Sequence, residues 1–161
     1  RRDIYREALM LRELTDKFRA SLIVNDYTDI ALAVNADGVH LGQEDLPLKE
    51  ARKILGKGKM IGVSTHSIEQ AIAAEAGGAD YIGFGPIFHT ETKDAGKPKG
   101  IAALREIKKL IKIPVVAIGG INIENLRSVI DSGADAAAVS SAIIQGDIAD
   151  NVIRFLNILK K

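Results

Sequence analysis

Six short apolar runs, each followed by a stretch with helical spacing, restrict this chain to very few folds. The runs cover residues 21–24, 38–41, 60–63, 80–84, 114–118 and 135–139. Each is four or five residues long, and most end against Gly, Asn or Ser. Short runs that are apolar almost throughout fit strands buried on both faces, as in a parallel sheet. The intervening segments 29–34, 48–55, 68–76, 101–111 and 123–131 read as helices, and an amphipathic segment over 148–159 closes the chain. Strand and helix in alternation predict an α/β fold built on a parallel sheet or barrel. At 161 residues the chain is expected to form one domain with a substantial core.

Local signals place the helix ends. Thr28 is expected to cap the helix over 29–34, with Asp29 favourable at its positive end. Ser67 followed by Gln70 has the form of a capping box for 68–76, which Gly77 and Gly78 then stop. A helix over 4–19 leads the chain, with Ile4, Ala8, Leu11, Leu14 and Phe18 as its expected apolar face. No strand is predicted before it, so the chain is expected to begin partway into its fold.

Composition narrows the function. A net charge of +1 gives no electrostatic reason for a nucleic-acid or anionic-membrane partner. Aromatic residues are scarce and Trp is absent, which argues against stacking platforms for single strands. No apolar run approaches the ~18 residues of a membrane span. The absence of cysteine excludes disulfides, zinc thiolates and a Cys nucleophile, and a cytoplasmic location fits it.

In parallel α/β folds the chemistry lies beyond the carboxyl ends of the strands. Six clusters fall there: Asn25-Asp26, Gln43-Glu44-Asp45, Ser64-Thr65-His66, Thr90-Glu91-Thr92-Lys93, Gly119-Gly120 and Ser140-Ser141. Asp26 and Asp45 suit a shared Mg²⁺, which takes oxygen ligands and leaves places for phosphate; the plainer reading of either is a helix cap. Thr90, Thr92 and Lys93 offer two hydroxyls and an ammonium to an anion, or simply line a solvated loop. Gly119-Gly120 and Ser140-Ser141 suit a phosphate at the last two strand–helix loops; the glycines also serve a tight turn. His66 reads as a group packed over helix 68–76, or as an acid–base group. His40 is expected to be a satisfied interior side chain, and His89 has no assigned role. The long loop over 94–100 is a candidate lid.

These stretches resemble the thiamine-phosphate synthase family. The resemblance lies in IVNDYTDIALAVNADGVHLGQEDLP, IGVSTHSIEQA, ADYIGFGPIFHTETKDAGKPKG, IPVVAIGGI and the Ser-Ser-Ala-Ile near the end, spanning about residues 21 to 145. It implies a (βα)₈ TIM barrel. It also implies a transferase that joins 4-amino-2-methyl-5-hydroxymethylpyrimidine diphosphate to 4-methyl-5-(2-hydroxyethyl)thiazole phosphate, releasing pyrophosphate. On that resemblance Asp26 and Asp45 are Mg²⁺ ligands. Asn25, Ser64 and Lys93 contact the pyrimidine diphosphate, with Ser64 and Lys93 as the expected catalytic pair. Thr90, Glu91 and Thr92 form the thiazole-phosphate segment, and Gly120, Ser140 and Ser141 cradle its phosphate. The family normally begins with two further strands, the second carrying a Gln-x-Arg-x-Lys type segment. Residues 1–161 are therefore expected to be a single, N-terminally incomplete barrel domain: a fragment of a longer protein, or one whose missing part is supplied by another chain or was lost; a homo-oligomer is among the expected partners. The competing expectations are a thiazole tautomerase using His66 and a non-catalytic phosphate-ligand-binding fragment.

Overall fold

A computed structural model describes residues 1–90 and 96–160. Its centre is one sheet of six parallel strands in chain order: β1 (Ile23–Asn25), β2 (Gly38–Leu41), β3 (Met60–Thr65), β4 (Tyr81–Phe84), β5 (Val115–Ile118) and β6 (Ala136–Ala138). Helix α1 (Arg2–Phe18) leads, and the strands alternate with α2 (Thr28–Ala33), α3 (Leu48–Leu55), α4 (Ile68–Ala76), α5 (Gly100–Leu110) and α6 (Leu126–Ile130). After β6 come α7 (Ser141–Ile144) and α8 (Ile148–Leu159). Each strand pairs with the next in sequence, so the sheet curls as a run of barrel staves.

The pleat divides each strand between two faces. Val39, Leu41, Ile61, Val63, Ile82, Phe84, Val115 and Ala117 are buried. They pack in cores with helix residues such as Ala51, Ala71, Leu104 and Ile107. The alternate residues, among them Asn25, His40, Ser64, Gly83, Val116 and Ile118, line a cavity on the concave face. Register aligns them: Asn25 pairs with His40, Ser64 with Gly83, and Gly83 with Val116.

The amino end of the sheet carries one device three times. Asp37 donates its amide to the Leu22 carbonyl at 2.9 Å, and its carboxylate accepts the Leu22 amide at 2.7 Å. Asp80 does the same with Ile61, at 2.9 and 2.7 Å, and Asp135 with Val115, at 3.0 and 2.7 Å. Each carboxylate is also bound by a cation from a helix: Arg12 of α1 at 2.7 Å, Arg52 of α3 at 2.5 Å and Lys108 of α5 at 2.6 Å. The carboxylate takes the place of a backbone carbonyl one step beyond the ladder, and thereby pins strands in pairs.

Two local expectations are corrected. Thr28 is not the cap of α2; Tyr27 is, and Thr28 is the first helical residue. Its side chain is buried and its hydroxyl finds no hydrogen-bond partner among the described residues. The face of α1 is also rotated from the expected one. Ala8 is buried and Ile4 and Arg12 half-buried, whereas Leu11, Leu14 and Phe18 are exposed. The reach of Arg12 to Asp37 turns the 4–8–12 stripe inward. At Ser67 the expected cap forms, its hydroxyl accepting the Gln70 amide at 3.2 Å. The reciprocal bond is displaced by one residue, because Gln70 Oε1 accepts the amide of His66 rather than of Ser67.

The Leu22 amide and Arg12 hold the Asp37 carboxyl below its usual range. For Asp135, burial works the other way but is outweighed by the bonds from Lys108 and the Val115 amide, so its carboxyl is lowered too. A carboxyl lowered by folding contributes stability that is complete above the unfolded pKa of about 3.9 and lost as pH falls through the folded value. The urea midpoint is therefore expected to hold between about pH 7 and pH 5 and to drop below about pH 4. In Asp37→Ala the acid drop becomes shallower, and unfolding at pH 7 costs about 1–3 kcal/mol less than in the parent. Thr28→Val removes the orphaned hydroxyl at nearly constant volume and is expected to stabilise the chain by about 1 kcal/mol in the same titration.

Candidate active site

The carboxyl end of β1 is built around a strained residue. Asp26 has φ 67°, and the Tyr27 amide donates to the Asn25 carbonyl at 2.8 Å across it. That is the rarer, positive-φ form of the γ-turn. Asp tolerates this region better than most residues, yet the conformation still costs about 1–3 kcal/mol. Two contacts hold it: the Asp26 amide donates to the His40 carbonyl at 2.8 Å, and Asn25 Nδ2 donates to Asp26 Oδ1 at 2.6 Å. Asp45 lies in the loop after β2, where its Oδ2 accepts the Gly42 amide at 2.6 Å. Two carboxylates thus end neighbouring strand–helix loops.

Beyond them the sheet opens on a cavity of about 520 Å³. Asn25, Ser64, Thr90, Gly120, Ser140 and Ser141, all expected site residues, contribute to its wall. A second cavity of about 530 Å³ adjoins it and shares Thr90, Gly120, Ile121 and Ser141. Asp26, which follows the lining residue Asn25, and Asp45 are not themselves among its lining residues. Glu91, Thr92 and Lys93 lie outside the described residues. Among the described residues no group of three or more His, Asp or Glu gathers as a metal cluster. Carboxylate oxygens such as those of Asp26 and Asp45 are of the donor type that Mg²⁺ takes together with ligand oxygens.

Glycine at 119 and 120 is a requirement of packing as well as of turning. Both have positive φ, and a Cβ on Gly120 would lie 2.3 Å from the His89 carbonyl oxygen. His40 is satisfied as expected: Nε2 lies 2.8 Å from Ser64 Oγ and Nδ1 lies 3.0 Å from the Tyr81 hydroxyl. It also lines the cavity, as does Tyr81, a residue that the sequence reading passed over. Gly62, paired with Tyr81 in the register, was the available signal for Tyr81. His66 does more than pack over α4. Its Nδ1 donates to the Gly85 carbonyl at 2.7 Å, and the ring lines the cavity. His89 is exposed and lines the second cavity.

Comparison with known proteins agrees with this geometry. The family described as thiamine monophosphate synthase matches residues 1–143. The chain belongs to the thiamine monophosphate synthase family. Membership makes it an enzyme of the transferase class in thiamine biosynthesis. It is 49% identical over 160 residues to a thiamine-phosphate synthase of Clostridium acetobutylicum, covering 99% of this chain and 76% of that one. It is 53% identical over 147 residues to the Clostridium novyi thiamine-phosphate synthase, covering 91% and 72%. Among solved structures, thiamine phosphate pyrophosphorylase from Pyrococcus furiosus superposes with a TM-score of 0.91 at 41% identity, covering 99% of this chain and 77% of that one. Chains below 20% identity, such as a 3-hexulose-6-phosphate synthase from Salmonella typhimurium (TM-score 0.73), share the fold.

The turn at Asp26 can be tested through stability alone. Glycine adopts positive φ without a Cβ penalty, whereas alanine keeps the penalty and loses the carboxylate. Asp26→Gly is expected to be more stable than Asp26→Ala by about 1 kcal/mol in urea unfolding. The reverse order of stability would contradict the strained-turn account.

Proposed function

We propose that this chain condenses 4-amino-2-methyl-5-hydroxymethylpyrimidine diphosphate with 4-methyl-5-(2-hydroxyethyl)thiazole phosphate, giving thiamine phosphate and pyrophosphate. The observation that carries the reading is the pair of adjoining cavities at the strand ends, which share Thr90, Gly120 and Ser141. The first also holds Asn25 and Ser64 and adjoins the Asp26 turn; the second takes in Ser141 at the start of α7. Two phosphorylated substrates need two such places that meet. The reading also includes a cytoplasmic setting, and no described helix is long and apolar enough to cross a membrane.

Asp26 and Asp45 would hold Mg²⁺, which when bound neutralises charge building on the departing diphosphate. Asn25 and Ser64 bind and orient the diphosphate end, with Lys93 supplying a positive charge. Gly120, Ser140 and Ser141 hold the thiazole phosphate, and Thr90, Glu91 and Thr92 border it. The bond from the pyrimidine methylene to the diphosphate oxygen breaks, and its electrons leave with pyrophosphate. The pyrimidine amino group supports the positive charge left on the methylene. The thiazole nitrogen then forms the new bond. Such a path asks the protein for positioning and electrostatics and needs no covalent nucleophile.

The test is pyrophosphate release. It is expected to require both substrates and a divalent cation, to stop on chelation, and to fall by about 100-fold or more in Asp26→Ala. A folded chain that releases no pyrophosphate but still binds thiazole phosphate would instead be a binding fragment. One that isomerises a carboxythiazole phosphate without the pyrimidine would be a tautomerase, with His66 as its acid–base group.

A further inference from the structure

The concave face holds a hydrogen-bonded chain of which the reaction above uses one end, Ser64, and not the other two members. It runs from the Tyr81 hydroxyl to His40 Nδ1 at 3.0 Å, and from His40 Nε2 to Ser64 Oγ at 2.8 Å. The three residues come from three adjacent strands, β4, β2 and β3. Space for them is cleared by glycine. A Cβ on Gly62 would fall 2.0 Å from Tyr81 Cζ, and one on Gly83 would fall 3.0 Å from His40 Cε1. Glycine weakens a strand interior, so two such positions mark room kept for something else.

A neutral imidazole has one donor and one acceptor nitrogen, which gives the chain two possible directions. In one, Tyr81 donates to Nδ1, Nε2–H donates to Ser64, and the Ser64 proton is released for a ligand. In the other, Ser64 donates inward to Nε2, Nδ1–H donates to Tyr81, and the phenol proton needs another acceptor. Burial pushes the Tyr81 phenol up, so it keeps its proton. Its only described hydrogen-bond partner is His40. Within the chain the first direction gives every proton an acceptor, whereas the second leaves the half-buried Tyr81 O–H without one among the described residues, which is costly. Ser64 is further fixed by Gln43, whose Nε2 donates to the Ser64 carbonyl at 2.6 Å.

We infer that Tyr81 and His40 are positioning residues that aim the Ser64 hydroxyl proton into the cavity, toward an anionic phosphate oxygen. A hydroxyl turned outward as a donor stabilises an anionic oxygen; turned inward, it presents lone pairs to it. The identification of that oxygen with the pyrimidine diphosphate rests on the proposed function.

Two measurements decide it. The first is ¹⁵N NMR of the His40 ring in the unliganded protein, which needs no turnover. The Nε2–H form is expected in the parent chain and a mixture of forms in Tyr81→Phe. The second is a kinetic cycle over Tyr81→Phe, Ser64→Ala and the double variant, with melting midpoints recorded alongside. Tyr81→Phe is expected to raise KM for the pyrimidine diphosphate about tenfold, leave KM for the thiazole phosphate unchanged, and add nothing to Ser64→Ala. An Nδ1–H form in the parent overturns the inference, as do equal effects on both substrates or additive losses in the cycle. Absence of pyrophosphate release from the parent chain fails the proposed function, and the ring form still decides the direction of the chain.

Discussion

Everything on the concave face depends on strand register, and the register rests on a reciprocal bond between an aspartate and the residue beside it on the neighbouring strand. In a parallel sheet a slip of one residue sends every side chain to the opposite face. Here a slip would turn His40, Ser64 and Tyr81 toward the helices and Leu41, Val63 and Ile82 toward solvent. The carboxylates of Asp37, Asp80 and Asp135 oppose it by pairing with one particular amide each. The helix cations Arg12, Arg52 and Lys108 draw the covering helices to the same points. Exposed ion pairs alone contribute little. The backbone bonds to the same carboxylates give these their specificity.

At the other end of the strands the architecture gives up stability. Asp26 is held at positive φ, and glycines stand in the middle of β3 and β4. A non-glycine residue held at positive φ beside a cavity is the kind of departure a binding site imposes. The same end carries the two adjoining cavities.

Much of this was legible in the sequence because the physics behind it is periodic and local. The six strands, the limits of α3, α4 and α8, and the cap at Ser67 follow from apolar spacing and one hydroxyl. Asn25, Ser64, Thr90, Gly120, Ser140 and Ser141 were placed by a single rule about strand ends, and the fold brings them to one cavity. What escaped was pairwise and long-range. The inward turn of α1 depends on Arg12 meeting a residue 25 positions away. Thr28 looks like a cap until Asp26 takes a positive φ, which shifts the start of the helix. The contact of Tyr81 with His40 crosses 41 positions and had only a facing glycine to announce it. The threefold Ala-Asp before β2, β4 and β6, at 36–37, 79–80 and 134–135, was visible as a repeat, but its meaning needs the partner strand.

The placement of the three aspartates also bears on how such a chain can change. They sit at the end of the sheet remote from the cavities, joined to them only through short, stiff strands. Substitutions that strengthen these clamps raise the margin of stability without changing a residue that lines the cavities. A lineage, or a directed-evolution experiment, can therefore accumulate robustness at one end and spend it on new substrate preferences at the other.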